Sequence, residues 1–197
     1  MVNSLLRAGA LLCLISSFSF AGQFLSVGVK AGVPFTDDFS SDTFSVPPQV
    51  YRSYSNSTGY IIGPTGEIHL PLGLSVEVDA LYRPLDLRTD LVGDGRVTHN
   101  TYSSWEFPIL AKWRFPIPLL KPYIEAGPSF RAVGGSASDF LSNNGLTLGA
   151  GIELRVSRVR IGPELRFTHW GSDASGASGH GFISNQNQGE FLVGFSF

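Results

Sequence analysis

Residues 105–115 read WEFPILAKWRF, and this stretch decides the fold. Its odd-numbered positions are all apolar, whereas the charged residues Glu106, Lys112 and Arg114 all occupy even-numbered positions. A period of two residues is the period of a β-strand, because successive side chains of a strand point to opposite faces of the sheet. The stretch therefore predicts a strand with one apolar face and one charged face.

Seven other segments of the chain alternate in the same way. Each has apolar residues at one parity and polar, charged or glycine residues at the other, over roughly ten positions, which is the length of a strand that crosses a membrane at a tilt. The chain therefore contains eight amphipathic strands. The other seven segments are 26–33, 60–70, 74–83, 124–131, 146–155, 159–167 and 190–197.

The connections between these strands alternate in length. Short connections follow the even-numbered strands and long polar ones follow the odd-numbered strands, which is typical of outer-membrane barrels with short turns at one rim and long loops at the other. We therefore predict an all-β fold, an eight-stranded antiparallel up-and-down transmembrane β-barrel, over residues 22–197. The short connections are 71–73, 116–121 and 156–158, and the long ones are 34–57, 84–100, 134–144 and 170–187.

Residues 1–21 have the three parts of a secretory signal peptide. One basic residue, Arg7, precedes the apolar run AGALLCLI at 8–15, and Ser19 and Ala21 supply the small residues of a cleavage site. The apolar run is shorter than the roughly 20 residues that a membrane-spanning helix needs. We therefore predict export and cleavage after Ala21, which also removes the only cysteine, Cys13.

Composition excludes several classes of partner and cofactor. The net charge is -2, with 14 basic and 16 acidic residues, so the chain has no basic surface for nucleic acid. A single cysteine provides neither a disulfide framework nor a thiolate metal cluster. Charged residues make up only 15% of the chain, against roughly 25% in an ordinary soluble domain. We expect no nucleic-acid partner and no cofactor.

The direction of the charged face separates two kinds of barrel. A soluble barrel with an apolar interior would show the same alternation. All seven glutamates, however, lie on the polar face, which carries equal numbers of acids and bases, and a narrow interior tolerates charges when opposite signs pair. We therefore predict apolar side chains toward lipid and a lumen closed by an ion-pair network. The predicted network comprises Lys30, Glu67, Glu77, Asp79, Arg83, Glu106, Lys112, Arg114, Glu125, Arg131, Glu153, Arg155, Arg160, Glu164, Arg166 and Glu190.

Aromatic residues flank the predicted apolar band. Ten residues at a rise of about 3.3 Å and a tilt of about 40° span roughly 25 Å, which is the height of the band between the aromatic girdles of an outer-membrane barrel. The stretch 105–115 is aromatic at both ends of such a span. The predicted girdle residues are Tyr60, Tyr82, Trp105, Trp113 and Phe115.

The C-terminal strand carries apolar residues at Phe191, Val193, Phe195 and Phe197. A terminal phenylalanine that closes an amphipathic strand resembles the recognition signal that the bacterial barrel assembly machinery reads. We therefore expect this machinery to be a partner of the chain.

Three strings of the sequence resemble the small outer-membrane β-barrel superfamily, which includes the OmpA membrane domain, OmpX and the outer membrane protein beta-barrel domain family. They are YIEAGP at 123–128, GPELRFTHWG at 162–171 and NQNQGEFLVGFSF at 185–197. The resemblance covers the mature chain. It implies the barrel fold and the outer membrane of a bacterium, with outer-membrane lipid and lipopolysaccharide as partners, but hardly anything about activity.

Four prolines interrupt the predicted strands. Pro64, Pro128 and Pro163 each follow a glycine, and Pro108 lies in the middle of 105–115. Because proline cannot donate a ladder hydrogen bond, we expect a bulge or kink at each Gly-Pro step.

One stretch has a superficial likeness to a catalytic site. Lipid A deacylases of the outer membrane use a histidine, a serine two residues later and a downstream acid, and His169, Ser172 and Glu190 are similar in order. Ser172 follows His169 by three residues, and His169 shares the parity of lipid-facing Phe167, whereas Glu190 is predicted to face the lumen. Because these groups would not converge within hydrogen-bond reach, we expect no enzyme.

Metal binding has little support in the sequence. The four histidines show no metal-ligand spacing. The aspartates of the long connections would suit hard cations that bridge lipopolysaccharide, but they too lack a liganding pattern. We expect no metal site.

Three functions fit these observations. The first, which we predict, is an integral outer-membrane barrel, monomeric and without a diffusion pore, whose surface loops serve structural, adhesive or interaction roles. The second is a small porin for small solutes. The third is a lipid A-modifying enzyme.

Overall fold

The computed structural model describes residues 24–37, 39–40, 42–46, 49–55, 59–92, 97–117, 120–134, 142–171 and 183–197, and the predicted signal peptide lies outside them. These residues form strands and one turn of 3-10 helix at Pro71–Gly73. Among them there is no helix that is long and apolar enough to cross a membrane. The strands are β1 (Leu25–Pro34), β2 (Phe39–Ser40), β3 (Asp42–Val46), β4 (Gln49–Ser55), β5 (Ile61–His69), β6 (Leu74–Asp79), β7 (Leu81–Val92), β8 (Val97–Arg114), β9 (Leu120–Val133), β10 (Asn144–Val156), β11 (Val159–Trp170), β12 (Ile183–Ser184) and β13 (Asn187–Ser196).

The barrel is closed and antiparallel. Its wall runs β1, β5, β6 with β7, β8, β9, β10, β11 and β13, so neighbours along the chain are neighbours in the wall. β1 pairs with β13 on one side and with β5 on the other, which closes the sheet. Counting β6 and β7 as one wall position gives eight positions within the described residues, and the predicted eight-stranded up-and-down barrel is confirmed.

Two strands continue well beyond one rim. β7 and β8 stay paired from Pro84 opposite Ser103 to Asp90 opposite Val97, so the prediction of a long connection at 84–100 is wrong. The predicted connection 34–57 contains β2, β3 and β4, of which β4 pairs with β7 and β3 with β4. We call the sheet of β3, β4 and the ends of β7 and β8 the raised sheet.

The apolar side chains lie on the outside of the barrel. Val29 and Leu165 are 54% and 57% exposed, whereas Lys30 and Glu164, their neighbours along the strands, are 3% and 2% exposed. The same alternation runs through β5, β6, β8 and β9. The polar face of the strands is therefore the inner face, as the sequence predicts.

The prolines are accommodated without bulges. Pro64, Pro128 and Pro163 are paired on one side with Val29, Leu146 and Val193, and the register is the same before and after each proline. Pro108 is paired with Ser129 in a register that likewise does not change. A bulge is therefore absent at all three Gly-Pro steps, because only the side of the strand that lacks the N–H loses ladder pairing.

Two glycines explain how the wall stays closed on the side where the proline has no N–H to donate. Pro64 faces Ala80, and the Ala80 carbonyl leans over Gly63 so closely that a Cβ there would overlap the oxygen. The Ile109 carbonyl leans over Gly127 in the same way, next to Pro128. At these two Gly-Pro steps the glycine therefore provides the space into which the opposite strand moves. The break between β6 and β7 falls at Ala80 for the same reason.

This geometry predicts that Gly63→Ala destabilises the barrel. The added Cβ would meet backbone, which cannot move aside, so we expect the free energy of unfolding to fall by about 1–3 kcal/mol, as for overpacked cores. Gly66→Ala is the matched control on the same strand, since no atom lies within 4 Å of the added carbon. Urea unfolding in detergent, followed by tryptophan fluorescence, measures both. Equal midpoints for the two variants would contradict the close approach.

Candidate functional site

A group of buried charged side chains fills the middle of the barrel. They project from inward-facing positions of β1, β6, β8, β9 and β11, which the two-residue period of each strand directs to the axis. Each is less than a tenth exposed. This central cluster comprises Lys30, Glu77, Asp79, Lys112, Glu125, Glu164 and Arg166.

Arg166 contacts more carboxylates than any other described member of the central cluster. Its Nη1 lies 3.0 Å from Oδ2 of Asp79, its Nε 3.1 Å from Oε1 of Glu125 and its Nη2 2.8 Å from Oε1 of Glu164. Nη2 also lies 3.3 Å from Oε1 of Glu77. The planar guanidinium thus donates in several directions at once, which a lysine ammonium cannot do with the same geometry.

The two lysines join the remaining carboxylates. Lys30 Nζ lies 2.5 Å from Oε1 of Glu77 and 2.8 Å from Oε1 of Glu164. Lys112 Nζ lies 3.2 Å from Oε2 of Glu125 and also contacts Glu77. The Tyr123 hydroxyl donates to Glu164 at 2.7 Å. Every acid of the cluster is therefore in contact with at least one base.

Three of these carboxylates come close enough to resemble a metal site. One oxygen from each of Glu77, Glu125 and Glu164 lies within 4.8 Å of the others. Each of these glutamates already contacts Arg166 or one of the lysines, however. A cation at this place would have to compete with side chains that already neutralise the carboxylates.

A second charged group lies nearer the short-turn rim. Arg114 contacts Glu67, and its Nε donates to Oε2 of Glu153 at 2.8 Å. Its Nη1 donates to the Ser75 hydroxyl at 2.7 Å. Arg160, the neighbouring predicted network residue, lies with Nη1 2.7 Å from Nε2 of His69. The structure thus brings together four residues of the predicted network. His69, which contacts one of them, was not predicted to belong to it.

Arg155 is the member of the predicted lumen network that the structure places elsewhere. It is exposed, and its Nε donates to the Ser157 carbonyl at 3.4 Å. Arg155 is the register partner of Arg160 and lies one residue before the end of β10. At the end of a strand the side chain reaches water, and the like charge opposite favours that direction. The prediction for Arg155 is therefore wrong.

The remaining predicted network residues lie toward the raised sheet. Arg83 donates to Oε1 of Gln188 at 3.2 Å and to the Thr36 carbonyl at 2.8 Å. Glu190 lies 3.9 Å from Arg166, and Glu106 is the register partner of Arg131. All four are buried: Arg83, Glu106, Arg131 and Glu190.

Apolar side chains also lie in this upper part of the interior, where the sequence pattern predicts only polar ones. Ile61, Leu81 and Leu192 pack together and are at most 1% exposed. Trp170, predicted in a long polar connection, is also fully buried. Its Nε1 donates to Oε1 of Gln188 at 2.8 Å, and its ring centroid lies 4.1 Å from the Arg131 guanidinium. Their signal in the sequence is an apolar residue at the inward parity of a strand.

The structure also brings together a serine, a histidine and a glutamate that the sequence does not suggest. The Ser26 hydroxyl lies 3.1 Å from Nε2 of His69, and Nδ1 of His69 lies 3.9 Å from Oε1 of Glu67. Ser26 is 2% exposed, and Nε2 of His69 already contacts Arg160. The cavity beside them has a volume of about 30 Å³, which is room for about one water and not for an acyl substrate.

The set that resembles the deacylase motif does not come together. His169 is exposed on the outer face, where Nδ1 lies 2.8 Å from Oδ1 of Asn187, whereas Glu190 is buried inside the barrel. Ser172 lies outside the described residues. The wall of the barrel therefore separates the histidine from the acid.

The predicted aromatic residues form two groups on the outer face. At one level Tyr82 lies between Tyr60, at 6.3 Å, and Trp105, at 5.4 Å between ring centroids. Near the short-turn rim Trp113 and Phe115 lie 4.6 Å apart. At the C-terminal strand the side chains share the outward parity, and Phe195 and Phe197 are exposed. That strand carries Phe191, Val193, Phe195 and Phe197.

The fold and the site together define a class of protein: a closed eight-stranded barrel with charged side chains inside and apolar ones outside. No protein-family model matches the chain, and no curated protein does either. Among solved structures, Neisserial surface protein A is similar, with a TM-score of 0.53 and 17% sequence identity over 88% of this chain and 95% of that chain. At this identity the similarity shows the barrel fold, and membership of the OmpA and OmpX family stays a prediction.

The central cluster predicts a large effect of Arg166→Met. The substitution keeps much of the side-chain volume but leaves buried carboxylates without their guanidinium, so we expect the free energy of unfolding to fall by about 3–5 kcal/mol. Arg158→Met is the matched control, because Arg158 is exposed at the turn between β10 and β11, and we expect less than about 0.5 kcal/mol there. Arg166→Lys should fall between the two, because it keeps the charge but not the fork of donors.

Urea unfolding in detergent micelles measures all three variants. Arg166→Met with the midpoint of Arg158→Met would show that water, and not Arg166, solvates the carboxylates.

Proposed function

We propose that the chain is an integral protein of the bacterial outer membrane, a barrel whose lumen is closed by ion pairs and apolar side chains. Its short-turn rim and both chain ends face the periplasm. Its raised sheet stands at the cell surface and serves a structural, adhesive or interaction role.

The observation that carries this proposal is the apolar exterior. Large aliphatic and aromatic side chains such as Val29, Ile124 and Leu165 are half exposed all around the wall, whereas monomeric soluble proteins rarely expose large contiguous apolar patches. A closed barrel satisfies every backbone group internally except at prolines, so it is one of the two structures that can span lipid. The two aromatic groups fit the two membrane interfaces.

Export and assembly complete the proposal. The N-terminal signal peptide, cleaved after Ala21, would deliver the chain to the periplasm. The outward-facing residues from Phe191 to Phe197 would be read by the barrel assembly machinery, and the mature barrel would sit as a monomer among phospholipid and lipopolysaccharide. The name of Neisserial surface protein A, a surface protein with the same fold, is in keeping with this location.

The two alternative functions receive less support. A porin needs an aqueous path, and the lumen cavity lined by Ser26, Glu67 and Lys112 among others has a volume of only about 30 Å³. A lipid A-modifying enzyme needs a histidine and an acid on one side of the wall, and His169 and Glu190 lie on opposite sides. We therefore propose a non-enzymatic protein without a diffusion pore.

The proposed orientation is testable by single-cysteine labelling. Since Cys13 is the only cysteine and lies in the signal peptide, the mature protein supplies a cysteine-free background. Asn143→Cys lies beside the start of β10, at the rim from which the raised sheet extends. Ser157→Cys lies at the short-turn rim, and both residues are exposed. We expect a membrane-impermeant maleimide to label only Asn143→Cys in whole cells, and both variants after lysis.

Fractionation provides the control for this experiment. Both variants should migrate with the outer-membrane fraction and run faster on gels before heating than after it. A protein that remains in the periplasmic extract, or one labelled at Ser157→Cys in whole cells, would overturn the location or the orientation.

A second prediction concerns conductance. Because charged and apolar side chains fill an interior that is only wide enough for side chains, we expect the purified protein to produce no unitary current steps in planar bilayers. Detergent alone gives the background, and a known porin gives the positive control. Reproducible steps above that background would support the porin alternative instead.

A further inference from the structure

Three basic residues lie close together at the short-turn ends of neighbouring strands. Arg155, near the end of β10, is the direct register partner of Arg160 on β11. Lys121 on β9 is the register partner of Glu153, two residues before Arg155, so Lys121 and Arg155 are diagonal neighbours. Direct partners lie about 5 Å apart and diagonal ones about 7–8 Å apart, which is within reach of long side chains. We call Lys121, Arg155 and Arg160 the rim cations.

The rim cations belong to the face of the wall that lines the lumen. On β9 and β11 they share the parity of Tyr123 and Glu164, which are buried inside the barrel. On β10 the same parity belongs to Glu153, which contacts Arg114. At the strand ends this face opens into the aqueous mouth of the lumen. A ligand of the rim cations would therefore arrive from the water at this rim and not from the surrounding lipid.

The described part of the chain supplies no carboxylate to the rim cations. The two glutamates at this end of the lumen, Glu67 and Glu153, both contact Arg114. Lys121 and Arg155 are exposed, and neither forms an ion pair with a described residue. Their positive charges are therefore not neutralised by the residues that the structure describes.

The contact of Arg160 leaves its charge in place as well. Its Nη1 lies 2.7 Å from Nε2 of His69, and because a guanidinium only donates, Nε2 is the acceptor and carries no proton. An uncharged imidazole does not neutralise a guanidinium, and Arg155 directly opposite carries a like charge, which is destabilising in a strand pair. An anion bound between the two arginines would remove this repulsion.

We propose that the rim cations bind the terminal phosphate group of a soluble molecule at the mouth of the lumen. A tetrahedral phosphate dianion has acceptor oxygens for two guanidinium groups and an ammonium together, whereas one guanidinium fork already occupies both oxygens of a carboxylate. The cavity behind the mouth, lined by Arg160 and Ser196 among others, has a volume of about 30 Å³, which is room for about one water. The phosphate therefore stays at the mouth. That the molecule is a periplasmic one rests on the proposed function, which places this rim in the periplasm.

Calorimetric titration with inorganic phosphate tests the site. The protein is held in dodecyl maltoside, a detergent without phosphate, at constant ionic strength. We expect one phosphate per chain, and we expect Arg155→Gln to raise the Kd about fivefold because it removes one charged donor. Arg88→Gln is the matched control, because it removes the same charge from β7 in the raised sheet, and it should leave the Kd unchanged. An equal rise in both variants would show non-specific attraction and overturn the site.

Urea unfolding gives a second test, which a purely structural role of Arg155 would not satisfy. Without phosphate, Arg155→Gln relieves the repulsion from Arg160, so we expect its midpoint to equal or exceed that of the unchanged protein. Phosphate should raise the midpoint of the unchanged protein, because it binds only the folded state, and should not raise that of the variant. A midpoint of the unchanged protein that does not respond to phosphate would overturn the proposal.

Nanodiscs distinguish a soluble phosphate from a lipid headgroup. We expect the same Kd for inorganic phosphate in discs of phosphatidylcholine and in discs that also contain phosphatidic acid, because the rim cations border the lumen and not the lipid. Competition by phosphatidic acid would assign the rim cations to a lipid headgroup and overturn the soluble ligand.

The two proposals fail in different ways, since phosphate binding is measured on the purified protein. A protein that fractionates with the outer membrane and shows the expected labelling, but binds no phosphate, would overturn only the phosphate site. A protein that binds phosphate but never reaches the outer membrane would overturn the proposed function, and with it the periplasmic origin of the ligand.

Discussion

A guanidinium that is buried away from water must be surrounded by negative charge. Because Arg166 lies in the middle of the barrel, the carboxylates around it come from several strands of the wall. Backbone hydrogen bonds join each strand only to its neighbours in the wall. The central cluster, by contrast, joins β1, β6, β8, β9 and β11 across the axis through contacts of Arg166, Lys30 and Lys112. The barrel cannot widen without separating buried charges, so these contacts hold the cross-section of the wall.

The packing of the narrow lumen also depends on the positions of inward-facing glycines. A Cβ at Gly149 would lie within 3 Å of the Glu125 carboxylate, and one at Gly151 would overlap the Tyr123 ring, so β10 makes room for the large residues of β9. Toward the raised sheet the apolar side chains Ile61, Leu81 and Leu192 join buried charged ones in the interior. The described part of the interior therefore combines ionic and apolar packing.

The strands of the wall could be predicted from the sequence because one physical rule applies to each of them. Successive side chains point to opposite faces, and the two faces of the wall have different surroundings. Stretch 105–115 shows it at every position except Pro108 and Leu110, which are apolar at the inward parity. The rule gives no signal beyond the barrel wall, so the pairing of β7 with β8 up to Asp90 and Val97 was predicted as loop. Parity also says which side a residue faces but not how far along the axis it lies, so Arg155 was predicted inside although it ends a strand. Contacts across the axis, such as Ser26 with His69, join residues far apart in sequence and have no local signature.

The length of the raised sheet determines how far the protein extends beyond the upper aromatic group. From Tyr82, in the upper aromatic group, β7 runs ten further residues to Val92, about 33 Å of extended chain at the usual rise. In the proposed orientation that length is comparable to the thickness of the hydrocarbon layer itself. In that orientation the tip of the sheet lies beyond the lipid headgroups. It is therefore the part of the protein that molecules from outside the cell contact first.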